Sequence, residues 1–131
     1  MARFYTVREA GALLPEVAEL LAAMRTARDV LVDRQLLRAL AEGAPQNGGG
    51  AAGRRWGEAF LRFAAAAARL RALDVTLRDL DRGLIDFRGR VAGREVCLCW
   101  LDGEPGLEWW HEVDAGFAGR RRIGEGEVGP E

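Results

Sequence analysis

Lysine and serine are both missing from this chain of 131 residues. Without serine there is no Ser-His-Asp nucleophile. Without lysine there is no Schiff base and no phosphate-loop ammonium. Histidine occurs once, at His111, and cysteine only at Cys97 and Cys99. No uncharged run approaches the roughly 20 residues of a membrane span. The opening residues 1–10 carry an acidic side chain and no apolar run, so no secretory leader is expected. Cysteines two positions apart on one strand bridge poorly. The expectation is a reduced, cytoplasmic protein with no membrane association.

What is present reads as globular: 30% charged and 49% hydrophobic residues. A net charge of -1 gives no global pull toward nucleic acid, which is not an expected partner. All 19 basic side chains are arginine. In a chain so rich in alanine and glycine, this reads as coding bias rather than selection for guanidinium chemistry. The length suits one domain, residues 1–123, with a polar, frayed tail at 124–131. Its burial fraction is modest, so a partner subunit is expected.

Helical signals dominate the first half. Thr6 and Glu9 have the spacing of a capping box, predicting a short helix over 7–13. Pro15 suits the first turn of a second helix, with Glu16 and Glu19 at its positive end. Val17, Leu20, Leu21, Met24, Ala27 and Leu31 form an apolar stripe, and the helix is expected to run to residue 41, its stripe drifting onto Leu36, Leu37 and Leu40. Residues 43–53 read as a flexible Gly-rich connector. They follow a helix and lack the Lys-Ser/Thr ending, so they are no nucleotide loop. A third helix is expected over 54–73, with Trp56, Phe60, Phe63, Ala67, Leu70 and Leu73 as its buried stripe. Two long helices across a short linker predict an antiparallel hairpin, residues 15–73, and a homodimer through its uncovered side.

From residue 84 the period changes to two. Residues 84–91 and 94–101 read as strands around a tight turn at Ala92-Gly93, and 107–113 as a third. Residues 75–78 fit a helix end or a short strand equally. The predicted fold is α+β: a helical hairpin with a short N-terminal helix, packed on a three-stranded antiparallel β-meander over 84–113.

Several phrases in order carry a family resemblance: Phe4-Tyr5-Thr6 with Glu9-Ala10, Leu13-Leu14-Pro15, Gly83-Leu84-Ile85-Asp86-Phe87, Cys99-Trp100, Trp110-His111-Glu112 and Gly116-Phe117-Ala118-Gly119-Arg120. Together these resemble the bacterial domain of unknown function 2203 family. The resemblance implies no mechanism, because that family has no established activity. It does imply arginine where this chain has Leu101, Gln-Pro where it has Arg121-Arg122, and glycine where it has Asp74.

Two chemistries are expected around the sheet. The first is binding of a small anion by Asp86, Trp100, His111, Glu112, Gly119 and Arg120. Glycines let successive amides converge, and arginine gives bidentate recognition. The second is metal ligation by Cys97, Cys99 and His111, with zinc as the ion. Against it stands the ordinary role of buried cysteine as a small hydrophobe, so no cofactor is the primary expectation. The leading functional reading is a non-catalytic interaction or small-anion-binding module. Its alternative is a small metal-assisted enzyme with its site near His111 and Arg120.

Overall fold

The computed structural model describes residues 2–43 and 50–124. The expected flexibility of residues 44–49 and fraying of 125–131 fall outside them. Among the described residues are four helices and a five-stranded antiparallel sheet in the order β1-β2-β3-β4-β5. The described residues divide into two compact units, 2–19 with 70–124 and 20–43 with 50–69.

The first unit contains the sheet. Helix α1 (Val7–Ala12) has the predicted capping box, Thr6 Oγ1 accepting from the Glu9 amide at 3.0 Å and Glu9 Oε1 from the Thr6 amide at 2.9 Å. Strands β1 (Thr76–Asp79), β2 (Leu84–Val91), β3 (Arg94–Leu101), β4 (Trp109–Glu112) and β5 (Arg121–Arg122) then follow as a meander. The expected three-stranded sheet therefore gains one strand at each edge. Residues 75–78 are too short for periodicity to choose helix or strand, and pairing with β2 decides for strand. At the far edge, Trp109 pairs with Arg122 and Trp110 with Arg121.

Register separates the sheet's two faces. Ile85, Phe87, Val96, Leu98, Trp100 and Trp110 lie on one and are buried. Tyr5 meets Phe87 edge-on at 5.2 Å between ring centroids and donates its hydroxyl to the Leu73 carbonyl at 2.6 Å. The opposite face carries Asp86, Cys97, Cys99, Trp109 and His111. The β2–β3 turn places Ala92 at φ 51 and Gly93 at φ 81, so alanine occupies a left-handed position that favours asparagine or glycine.

The second unit takes in α2 (Leu14–Leu31) from residue 20 onward, α3 (Arg34–Glu42) and α4 (Gly50–Ala72) to residue 69. The single helix expected over 15–41 is two. Asp33 has extended geometry and caps α3 by accepting from the Leu36 amide at 2.9 Å. This break, not heptad mismatch, explains the drifting stripe. Helix α4 begins at Gly50, four residues before its expected start, inside the connector. Two of the six residues of its predicted stripe are buried. Leu70 and Leu73 are buried, but Ala59 and Ala66 take the positions assigned to Phe60 and Ala67. Small side chains fill the tight inner positions, leaving Phe60 50% exposed and stacked on Trp56. The expected homodimer runs through the helices of the hairpin, and this one also exposes Leu61.

Helix α4 ends in a Schellman motif. The Asp74 amide donates to Arg71 O and the Val75 amide to Leu70 O, with Asp74 at φ 60. This is the position at which the family resemblance implies glycine. Asp74 offsets its backbone strain with its carboxylate. The Arg3 amide donates to it at 2.6 Å, and Arg88 lies 3.5 Å away. The Arg3 amide, with help from Arg88, holds this carboxyl below its usual range.

Two stability outcomes follow from these left-handed positions. Asp74→Ala keeps the strain and loses the Arg3 tether, so it should cost about 1–2 kcal/mol, whereas Asp74→Gly relieves the strain and should cost less. Ala92→Asn should stabilise by about 0.5–1 kcal/mol. Urea denaturation of the three variants measures both. Equal losses for the two Asp74 variants would contradict the cap argument.

Candidate functional site

The polar face of the sheet is assembled by ladder pairing. Asp86 sits opposite Cys99 across β2–β3, and Cys97 sits opposite His111 across β3–β4. All four side chains therefore emerge on one side. Asp86 and His111 are each only 2% exposed, a costly placement for ionisable groups in a sheet centre. Each polar atom has a partner. Asp86 Oδ2 accepts from Arg78 Nε at 2.8 Å, and Oδ1 lies 3.2 Å from His111 Nε2. His111 Nδ1 lies 2.7 Å from the Glu112 carbonyl, which can only accept, so Nδ1 donates. With Nδ1 carrying its proton, the Nε2–Oδ1 contact is favourable only when a second proton lies between them.

Cys97 completes a triangle. One ligand atom each from Asp86, Cys97 and His111 lies within 4.8 Å of the others. Both cysteines are free and buried. Burial, followed by the nearby Asp86 charge, pushes the Cys97 thiol up to about 11 and the Cys99 thiol up to about 12. Neither is a thiolate nucleophile near neutrality. His111 has no ring nitrogen left over to activate one, since Nδ1 serves Glu112 and Nε2 serves Asp86.

The remaining expected residues are distributed differently. Arg120 grips Glu104 with both terminal nitrogens, at 2.8 and 2.7 Å, and lies over Trp109 and Phe117. Burial pushes the Glu104 carboxyl up, but Arg120 and the Leu101 amide together hold it below the usual range. Gly119 lies in a 3-10 turn, where its amide donates to Gly116 O and an added Cβ would stand 2.7 Å from Ala115. Trp100 belongs to the opposite face, beside a groove of about 320 Å³ that Leu14 and Pro15 also line. The Glu112 side chain is also on that face, paired with Arg94 at 2.6 Å. Only its backbone carbonyl reaches His111.

Two participants escape sequence reasoning. Arg78 lies on β1, the strand left undecided, and strand geometry there would have placed it near Asp86. Glu104 lies in a turn whose Gly and Pro residues signal reversal but not the folding of its carboxylate back onto Arg120.

The thiol environment makes a direct prediction. At pH 8 the folded protein should react with iodoacetamide at least about a hundredfold more slowly than the same chain in denaturant. Mass spectrometry counts the adducts, and rapid labelling of folded Cys97 would contradict its assignment as a buried thiol. Because folding raises both thiol pKa values, the stability they contribute is present below the unfolded value near 9. It should fall as pH rises toward 11–12.

No curated protein matches the chain, and no solved structure does. Residues 3–123 match the model of a family described as uncharacterized conserved protein (DUF2203), confirming the resemblance read from the phrases above. The chain belongs to the DUF2203 family.

Proposed function

We propose that this chain is a metal-binding module whose ion, of the zinc class, is held by Asp86, Cys97 and His111. The observation that carries this reading is the clustering of their three ligand atoms within 4.8 Å. Donors bound tetrahedrally at about 2.0–2.3 Å stand about 3.3–3.8 Å apart, so closing the triangle requires shifts of about 1 Å. One sulfur, one imidazole nitrogen and one carboxylate oxygen suit a borderline-soft divalent ion.

The surroundings support the same reading. A metal-bound histidine normally donates its other ring N–H to a carbonyl or carboxylate, and His111 already does so through Nδ1 to Glu112. Ligating carboxylates are themselves hydrogen-bonded, and Arg78 holds the second oxygen of Asp86. A divalent cation would take the place of the proton between Nε2 and Oδ1, and Cys97 would ligate as its thiolate. This set replaces Cys99 of the expected ligands with Asp86. The anion reading centred on Arg120 has less support, because that guanidinium is occupied by Glu104.

Cobalt(II) titration tests the proposal. One equivalent should bind per chain, with a near-ultraviolet thiolate charge-transfer band that Cys97→Ser abolishes. Arg78→Gln should weaken binding about tenfold by releasing Asp86, with circular dichroism reporting that each variant is folded. No band, or a band indifferent to Cys97→Ser in a folded protein, would overturn the reading.

A further inference from the structure

The three donors occupy β2, β3 and β4, adjacent strands, and emerge from a single face of the sheet. Such donors can surround only the sheet-facing half of an ion. Its remaining coordination positions point away from the sheet. Among the described residues no fourth histidine, cysteine or carboxylate joins the cluster. Cys99 stands opposite Asp86 but lies two positions, roughly 7 Å, along β3 from Cys97 and its ladder partner His111.

The space on the outer side is a cleft of about 290 Å³, and both Asp86 and Cys97 line it. Thr76, Arg78, Arg88 and Glu95 line it as well, bringing a hydroxyl, two guanidinium groups and one carboxylate beside two of the ion's donors. Arg78 approaches Asp86 through Nε and also faces Cys97. Arg88, 37% exposed, pairs through Nη1 with Glu95 at 3.3 Å and through Nε with Asp74 at 3.5 Å, contacts longer than the 2.7 and 2.8 Å grip of Arg120 on Glu104. With Asp86 and the Cys97 thiolate, a divalent ion forms a neutral centre, so Arg78 and Arg88 outweigh Glu95 by one charge and leave this wall favourable to negative charge.

Resting on the metal reading above, we infer that the ion keeps an open coordination position and binds a small oxyanion there, steadied by Arg88 on the cleft wall. The shared chemistry of a carboxylate and a phosphate satisfies both contacts, oxygen to metal and oxygen to guanidinium. The cleft thereby joins the two chemistries that the sequence suggested separately, metal ligation and anion binding.

Cobalt(II)-loaded protein separates this inference from the reading on which it rests. The charge-transfer band reports the ion, and the visible d–d bands report its coordination number. Acetate and inorganic phosphate, added in separate titrations, should each change the d–d bands saturably or show by their difference which oxyanion the cleft accepts. Arg88→Gln should weaken the effective anion about tenfold without loss of the charge-transfer band, and Cys99→Ser should leave the titration unchanged. Charge transfer with d–d bands insensitive to both anions would mean closed coordination and overturn the inference while the metal reading stands. Loss of the anion effect in Cys99→Ser alone would also overturn it. Absence of the charge-transfer band would remove both.

Discussion

A carboxylate and an imidazole shut away from water in the centre of a sheet are tolerable only where their lone pairs and protons are matched. Asp86 and His111 meet this condition through one contact at 3.2 Å, with Arg78 behind the carboxylate and the Glu112 carbonyl behind the ring. Removing any one of these partners would leave a desolvated polar group, a loss of several kcal/mol in buried ion-pair systems. The remainder of the polar face follows from that contact. Its register brings Cys97 alongside His111, and its burial keeps both thiols protonated.

The same matching separates the two ends of the face. Near β5, Arg120 and Glu104 form a closed bidentate pair under aromatic rings, an arrangement that rigidifies the turn and leaves little capacity for another ligand. Near β1, Arg78 and Arg88 line a cleft over Asp86 and Cys97. Arginine therefore has two roles on one surface: locking a loop and walling a cavity. Composition alone does not distinguish them, because the difference lies in which carboxylate reaches which guanidinium.

Sequence periodicity was most informative where strands were long. The two-residue period located the strands over 84–91 and 94–101, and in the sheet that alternation divides Phe87 and Leu98 from Asp86 and Cys97. Legibility failed where a decision depended on tertiary pairing. Thr76 to Asp79 becomes a strand because β2 offers an edge, and Arg121-Arg122 because β4 does. In the helices, size misled: Phe60 has a large apolar side chain, yet the buried turn belongs to Ala59. Asp33 falls on the charged side of the expected long helix, where its capping of α3 is indistinguishable from a solvated charge until its extended backbone is seen. At Asp74 the family resemblance marked a glycine position, and the left-handed backbone explains that preference in conformational terms.

The proposed centre uses one sulfur, because only Cys97 has its sulfur close to Asp86 and His111 together, whereas Cys99 stands opposite Asp86 alone. X-ray absorption at the zinc edge of the zinc-loaded protein addresses this directly. The account predicts a single sulfur neighbour at about 2.3 Å, with nitrogen and oxygen filling the remaining shell at about 2.0–2.2 Å. Two sulfur neighbours, or none, would contradict it.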